Sequence, residues 1–333
     1  MSGKRVVITG GTFEEPAPQP GFRSRRSYVQ RQLEVTVQLA ASQATGQPIT
    51  FAGTAGSDTV TLSGFRTRVR IENSGAPAGS RASISVFGMP NDLVNQLSTL
   101  GMIFNSVQRN IVTVSAGDSE SGMSPVFAGV AGLAFGDFNQ SPKVPFRFEC
   151  QTGLFESVMP AAASSFPQST DVATMMSGWA RQMNLGFENN GVTVQLPPSY
   201  FPGSIMQQVR RAARAAAINA EIVDGNTKLA IWPLGGSRSV PTVPLISRET
   251  GMIGYPSFAP NGWLIVRSLF IPQVAFGGKI RVESMIPQAN KNWVVQKLDL
   301  ALDAKVPRGD WSMTMACYPE GFAAPPPPNS GAQ

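Results

Sequence analysis

The run Val6-Val7-Ile8-Thr9-Gly10-Gly11-Thr12 has the makings of a dinucleotide-binding turn, an apolar strand entering a double glycine. That chemistry needs a further glycine and a helix whose N-terminal amides hold the pyrophosphate. Here Glu14, Glu15 and Pro16 follow instead, putting two carboxylates where a phosphate would sit, and no strand–helix–strand unit comes after them. No cofactor is expected.

Nucleophilic and metal chemistry are as poorly served. The chain holds two cysteines and no histidine. That removes Ser-His-Asp and Cys-His catalysis, histidine-liganded zinc and a four-cysteine zinc site within one chain. Two cysteines make no disulfide framework, which fits folding in a reducing compartment. Cys150 adjoins Glu149, whereas a reactive thiolate needs a cationic or imidazole neighbour. It alternates with Phe146 and Phe148, and Cys317 alternates with Trp311, Met313 and Met315, so both thiols are expected to be buried and structural. Carboxylate pairs alone would serve a glycosidase. Glu14-Glu15 lies in a proline-rich stretch, however, and Asp299 and Asp303 share a strand face with Lys297, as in solvated faces and salt bridges. No catalytic, cofactor-binding or metal-ligating residue is assigned, and the reading is of a protein that is not an enzyme.

The polar feature that stands out is Arg66, Arg68 and Arg70, three like charges on one face of an alternating strand. Such a ladder repels itself unless water, acidic partners or nucleic acid screen it. It reads as a solvated outer face, or as a face lining a wet channel or a subunit interface. Arg210, Arg211 and Arg214 are the exposed side of an amphipathic helix. Arg23, Arg25, Arg26 and Arg31 form the dense basic cluster. With a net charge of +6 spread thinly, specific nucleic-acid binding is not expected.

Composition sets the frame for these residues. Charged residues make up 14%, against roughly 25% in ordinary globular domains, alongside 33 glycines, 27 prolines and 42% hydrophobic residues. A chain so poor in charge and rich in turn residues reads as β-dominated with extensive subunit contact. The first apolar run breaks after three residues, so no signal peptide is expected and the protein should be soluble when made.

Period-two alternation predicts strands at 33–39, 65–71, 83–87, 111–115, 126–135 and 146–151, with one helix at 91–100 stopped by Gly101. Residues 159–168 read as a linker. A helix capped by Thr170 or Asp171 then carries Val172, Met175, Met176, Trp179 and Met183 inward, and a second follows Pro202-Gly203-Ser204. Short strands are expected at 192–196, 221–224 and 228–232. From 236 alternation returns, in 263–271, 279–283, 294–302 and 311–317, without a helix. The expected organisation is an N-terminal arm (1–30), a β-barrel or sandwich domain (31–158), a small α+β insert (159–235), a second β domain (236–320) and a proline-rich tail (321–333). The fold class is mainly β. Trp263, Phe270, Tyr255 and Phe258 are expected to supply core or interface to the second β domain.

Several segments carry a resemblance. Phe187-Glu188-Asn189-Asn190-Gly191-Val192, Leu229-Ala230-Ile231-Trp232-Pro233 and Ser247 through Thr250-Gly251-Met252-Ile253-Gly254-Tyr255-Pro256 resemble baseplate hub proteins of tailed bacteriophages. So do Arg81 through Pro90, where an apolar strand ends in a Phe-Gly-Met turn before a short helix, and Ala289-Asn290, Trp293, Leu302 and Pro307 through Trp311. Lys291 departs from the pattern, where a glycine is expected in the turn before Trp293. The family is related to the hub part of type VI secretion spikes.

The resemblance implies two tail-tube-like domains flanking the insert in a homotrimer of the virion tail baseplate, assembled in the host cytoplasm. That trimer would adapt a sixfold tail tube, most naturally a contractile one, to a threefold central spike. Its implied partners are the spike, tail tube, tape measure and baseplate wedge proteins, with DNA only passing through. Two other readings stay open: a cell-wall-degrading tail enzyme with a glycan-binding insert, and the hub of a pyocin-like or non-contractile tail tip.

Overall fold

The computed structural model describes residues 29–40, 49–51, 56–75, 79–98, 109–120 and 122–321, together with the backbone of 6–9. The acidic and arginine-rich parts of the arm, the end of the predicted 91–100 helix and the polyproline tail lie outside the described residues. The chain forms two compact units. The first comprises Met1–Arg70, Arg81–Phe155 and Ala301–Trp311; the second comprises Ile71–Ser80, Glu156–Leu300 and Ser312–Gln333.

In the first unit the strands lie in the order Val6–Thr9, Thr59–Ser63, Arg31–Gln38, Ile111–Asp118, Gly122–Gly136, Pro145–Gln151, Ser80–Phe87 and Arg66–Asn73. The alternation read from the sequence is observed in several of these strands, while Gly122–Gly136 departs from it by burying Phe127, Ala128, Val130 and Ala131 together. Leu33, Val35 and Val37 are buried, as are Val112, Val114 and Ala116, and Phe146, Phe148 and Cys150. Their neighbours along each strand face outward, because successive side chains of a strand point to opposite faces. Val6–Thr9 pairs in parallel with Thr59–Ser63, occupying its outer edge. Among the described residues this sheet is not closed on itself, which corrects the barrel expected from sequence, while the class remains mainly β. The helix Asn91–Leu97 buries Leu93, Val94 and Leu97.

The second unit contains an α+β part and a β part. Helices Val172–Gln182 and Ile205–Ala215 pack on a three-stranded sheet of Gly186–Asn189, Lys228–Pro233 and Ile218–Val223. Asp171 caps the first helix by accepting a hydrogen bond from the Thr174 amide; Ser204 and Gln207 form a reciprocal capping box on the second. Trp179, Phe166 and Phe201 meet edge to face, at centroid distances of 5.6 to 6.2 Å. The predicted strand at 192–196 shortens to Gln195–Leu196. Asn189 takes up both the amide and the carbonyl of Val192, so those backbone groups are satisfied by a side chain and need no ladder.

In the β part, Leu264–Leu269 pairs with Trp311–Pro319 on one side and Ser257–Phe258 on the other. Lys279–Val282 pairs with Asn292–Ala304. A three-residue 3-10 turn, Pro287–Ala289, interrupts the uniformly extended reading of this region. Among the described residues no helix is long and apolar enough to cross a membrane.

Candidate functional site

The arginine ladder lies on the outward face of Arg66–Asn73, while Thr67, Val69 and Ile71 point inward. Its three members meet different surroundings. Arg70 forks onto Asp303 at 2.7 and 3.3 Å and reaches Asp310 at 3.3 Å. Asp303 is buried as the inner partner of an ion pair, so of the solvated faces and salt bridges expected for these carboxylates it takes the salt bridge. Arg66 lies over the Phe87 ring at 4.7 Å from its centroid, and Arg68 stands 6.0 Å from the same ring. Mutual repulsion is thus relieved by carboxylates at one end and an aromatic face at the other. Arg68 is the exposed member.

Arg66 also borders a hollow of about 350 Å³ lined by Phe87, Val94, Phe138, Lys143 and Phe146. Phe138 on its rim is 66% exposed, and the Arg66 Nε is buried without a hydrogen-bond partner. Among the described residues no carboxylate lines this space.

In the second unit one arginine that sequence reasoning did not single out organises a buried cluster. Arg238 donates to Glu188 at 3.1 and 3.0 Å and to Asp224 at 3.1 and 3.2 Å. Burial alone would raise the Glu188 carboxyl. Hydrogen bonds from Arg238 and Asn190 and the Arg238 charge outweigh it and hold that carboxyl below the ordinary range. Burial likewise opposes the Arg238 charge, and its two carboxylates hold it above the ordinary value. The Asn190 side chain bonds Glu188, the Ile231 carbonyl and the Ser239 amide. The Glu188-Asn189-Asn190 segment is therefore structural, fixing the edge of a small sheet. The available signal for Arg238 was a lone charge between serines in an otherwise uncharged stretch.

The 247–256 loop is equally built. Thr250 Oγ1 donates to the Leu245 carbonyl and accepts from the Ser247 amide. Gly251 has φ 108° and a Cβ there would sit 3.2 Å from Leu269, so only glycine fits without strain. Lys291, the departure in the turn before Trp293, needs no left-handed backbone, and its ammonium lies 4.7 Å from the Trp293 ring centre. The segments that carried the family resemblance thus hold backbone geometry. The sequence matches the baseplate hub gp41 family over residues 34–308.

The chain belongs to that family. It is a baseplate hub protein, a structural component of the phage tail. No curated protein matches the sequence. Solved structures share its fold at very low identity. A 43 kDa tail protein of prophage MuSo2 from Shewanella oneidensis has TM-score 0.55 and 7% identity, over 86% of this chain and 96% of that one. A tail protein from Neisseria meningitidis MC58 has TM-score 0.57 and 9% identity, over 87% and 98%. A Francisella PdpA-VgrG complex has TM-score 0.52 and 8% identity, over 93% of this chain and 61% of that chain.

The hub protein's exposed apolar side chains gather in the second unit. Met285 is 81% exposed and Tyr255 68%, and the Tyr255 hydroxyl donates to the Met285 sulfur at 3.7 Å. Phe258, Ile265 and Leu269 are also exposed. Trp263 and Phe270 are half-buried, so none of the four aromatics expected for core or interface is in the core of a single chain. Cys150 and Cys317 are buried, and burial pushes both thiols up, with the Glu149 charge adding to the effect at Cys150. Among the described residues no three Cys, Asp or Glu side chains group as a metal ion would require.

Proposed function

We propose that the hub protein acts as a homotrimer that joins the sixfold tail tube to the threefold central spike and continues the tube lumen for the tape measure protein and the genome. The observation that carries this reading is the presence of two compact β-rich units in one chain of a hub family. Three copies present six such units, the number a sixfold ring must match. Sparse charge and exposed apolar side chains are what a chain buried against neighbours would carry. The work is assembly and mechanical transmission in the baseplate of a contractile tail, without bond chemistry. Assembly takes place in the host cytoplasm, with spike, tube and wedge proteins as partners and DNA in transit only. The Arg66, Arg68 and Arg70 face belongs to a lumen or interface surface, where Arg68 is the most exposed member. The three-domain division, with 159–235 as an insert between two tube-like domains, is part of the same reading; the α+β core at Val172–Ile231 supports it.

Light scattering on a sizing column tests the proposal. The expected mass is three times 35.4 kDa. A chain that stays monomeric alone and with the spike protein added overturns it.

A further inference from the structure

We propose that Met285 and Tyr255 of one copy of this chain seat in the hollow bordered by Arg66, Phe138 and Lys143 of a second copy. The inference rests on the homotrimer reading and names the contact that builds it.

Each side is incomplete in a way the other completes. The hollow offers about 350 Å³ between aromatic and branched side chains, with Phe138 held out on its rim. Among the described residues it carries two cations and no carboxylate: Arg66, whose Nε is buried without a hydrogen-bond partner, and the exposed Lys143. Its occupant should bring apolar bulk and a negative charge together. Met285 is the most exposed large apolar side chain among the described residues, and Tyr255, bonded to its sulfur, is the next. Glu283 stands two residues upstream of Met285, half exposed and paired at 3.1 Å with the exposed Arg281. An exposed pair of this kind is worth little in water, so Glu283 can turn to Arg66 and Lys143 at small cost.

The geometry of exchange follows from where these features lie. Knob and hollow are different surfaces of one molecule, one in each unit. A contact between unlike patches can run head to tail, and it closes into a ring where the rotation between copies closes. In the homotrimer the contact would repeat three times around such a ring.

The test uses the full chain. Met285→Lys sets a like charge against Arg66 and Lys143. It should weaken the trimer at least tenfold by light scattering across a dilution series, with the thermal unfolding of the exposed-site variant unchanged. Adding Lys143→Glu should restore assembly. Met285→Cys combined with Lys143→Cys should give intercopy disulfides on mild oxidation, ending at a covalent trimer, while either variant alone gives none. A wild-type chain that is monomeric throughout overturns the homotrimer reading and this contact together. A trimer indifferent to Met285→Lys and free of crosslinks overturns the contact alone. Crosslinks that appear only to an added tail protein also overturn it.

Discussion

Arg238 grips both oxygens of Glu188, through its Nε at 3.1 Å and one terminal nitrogen at 3.0 Å, with its own side chain 4% exposed. The bond spans 50 positions and fixes a connecting segment against the edge strand of the small sheet. Removing Arg238 would leave a carboxylate with its surroundings still built for a cation. Arg238→Met should cost about 3 kcal/mol by urea unfolding at neutral pH.

The same pair sets an acid dependence. The Glu188 carboxyl is held low in the folded state, so its contribution is complete above the unfolded-state value, roughly 4.3, and is lost as pH falls through the lower folded value. Wild-type stability should drop by more than that of Glu188→Gln as pH falls below roughly 4.3. Equal slopes for the two proteins would refute this assignment.

Arg70 and Asp303 form the counterpart in the first unit, 233 positions apart. Asp303 is 5% exposed in its side chain but Arg70 is 43% exposed, so water softens the loss. Arg70→Ala should destabilise by about 2 kcal/mol, and Arg68→Ala, which removes the exposed neighbour, by less than about 0.5 kcal/mol. Parallel denaturation curves for the two variants check the difference.

Tyr318 donates its hydroxyl to the Gly236 carbonyl at 2.6 Å, and burial pushes its ionisation up to about 12. A raised value means that folding favours the neutral phenol. This contribution is present below about pH 10, the unfolded-state value, and is lost as pH rises toward 12. Alkaline absorbance titration should show one of the four tyrosines ionising late. Tyr318→Phe should remove that component and cost about 1 kcal/mol at neutral pH.

Both thiols should be inert in the folded protein. Cys150 follows the inward-facing Phe146 and Phe148 on its strand and is paired in register with Ala82 and Ala131, and Cys317 is paired in register with Leu264. Ellman's reagent should report no rapid thiol natively and two on unfolding in urea. A fast native thiol would contradict the burial described for either residue.

Much of this architecture was legible in the sequence because it depends on period. Val35 and Val37, or Val69 and Ile71, recur every second residue, and the capped Met175–Trp179 stripe recurs at helical spacing; each is buried as its period requires. What escaped depends on distance along the chain. Nothing local to Arg70 announces Asp303, and nothing local to Glu188 announces Arg238, since such pairs form only after folding brings remote segments together. The ladder read as three equivalent charges because spacing reports which face a residue occupies and not what waits there. The Val192 stretch read as a strand for a related reason: its alternation is real, but the Asn189 side chain claims the backbone groups a ladder would use.

The return of Ala301–Trp311 to the first unit has a consequence in time. During synthesis at roughly 5–20 residues per second, Arg70 emerges on the order of ten to fifty seconds before Asp303 exists. The first unit must wait for nearly the whole chain before its last charge finds a counterpart. A nascent or truncated chain therefore displays an unfinished surface, and completion of the first unit becomes a signal that all of the second but its last segment, from Ser312, has already been translated.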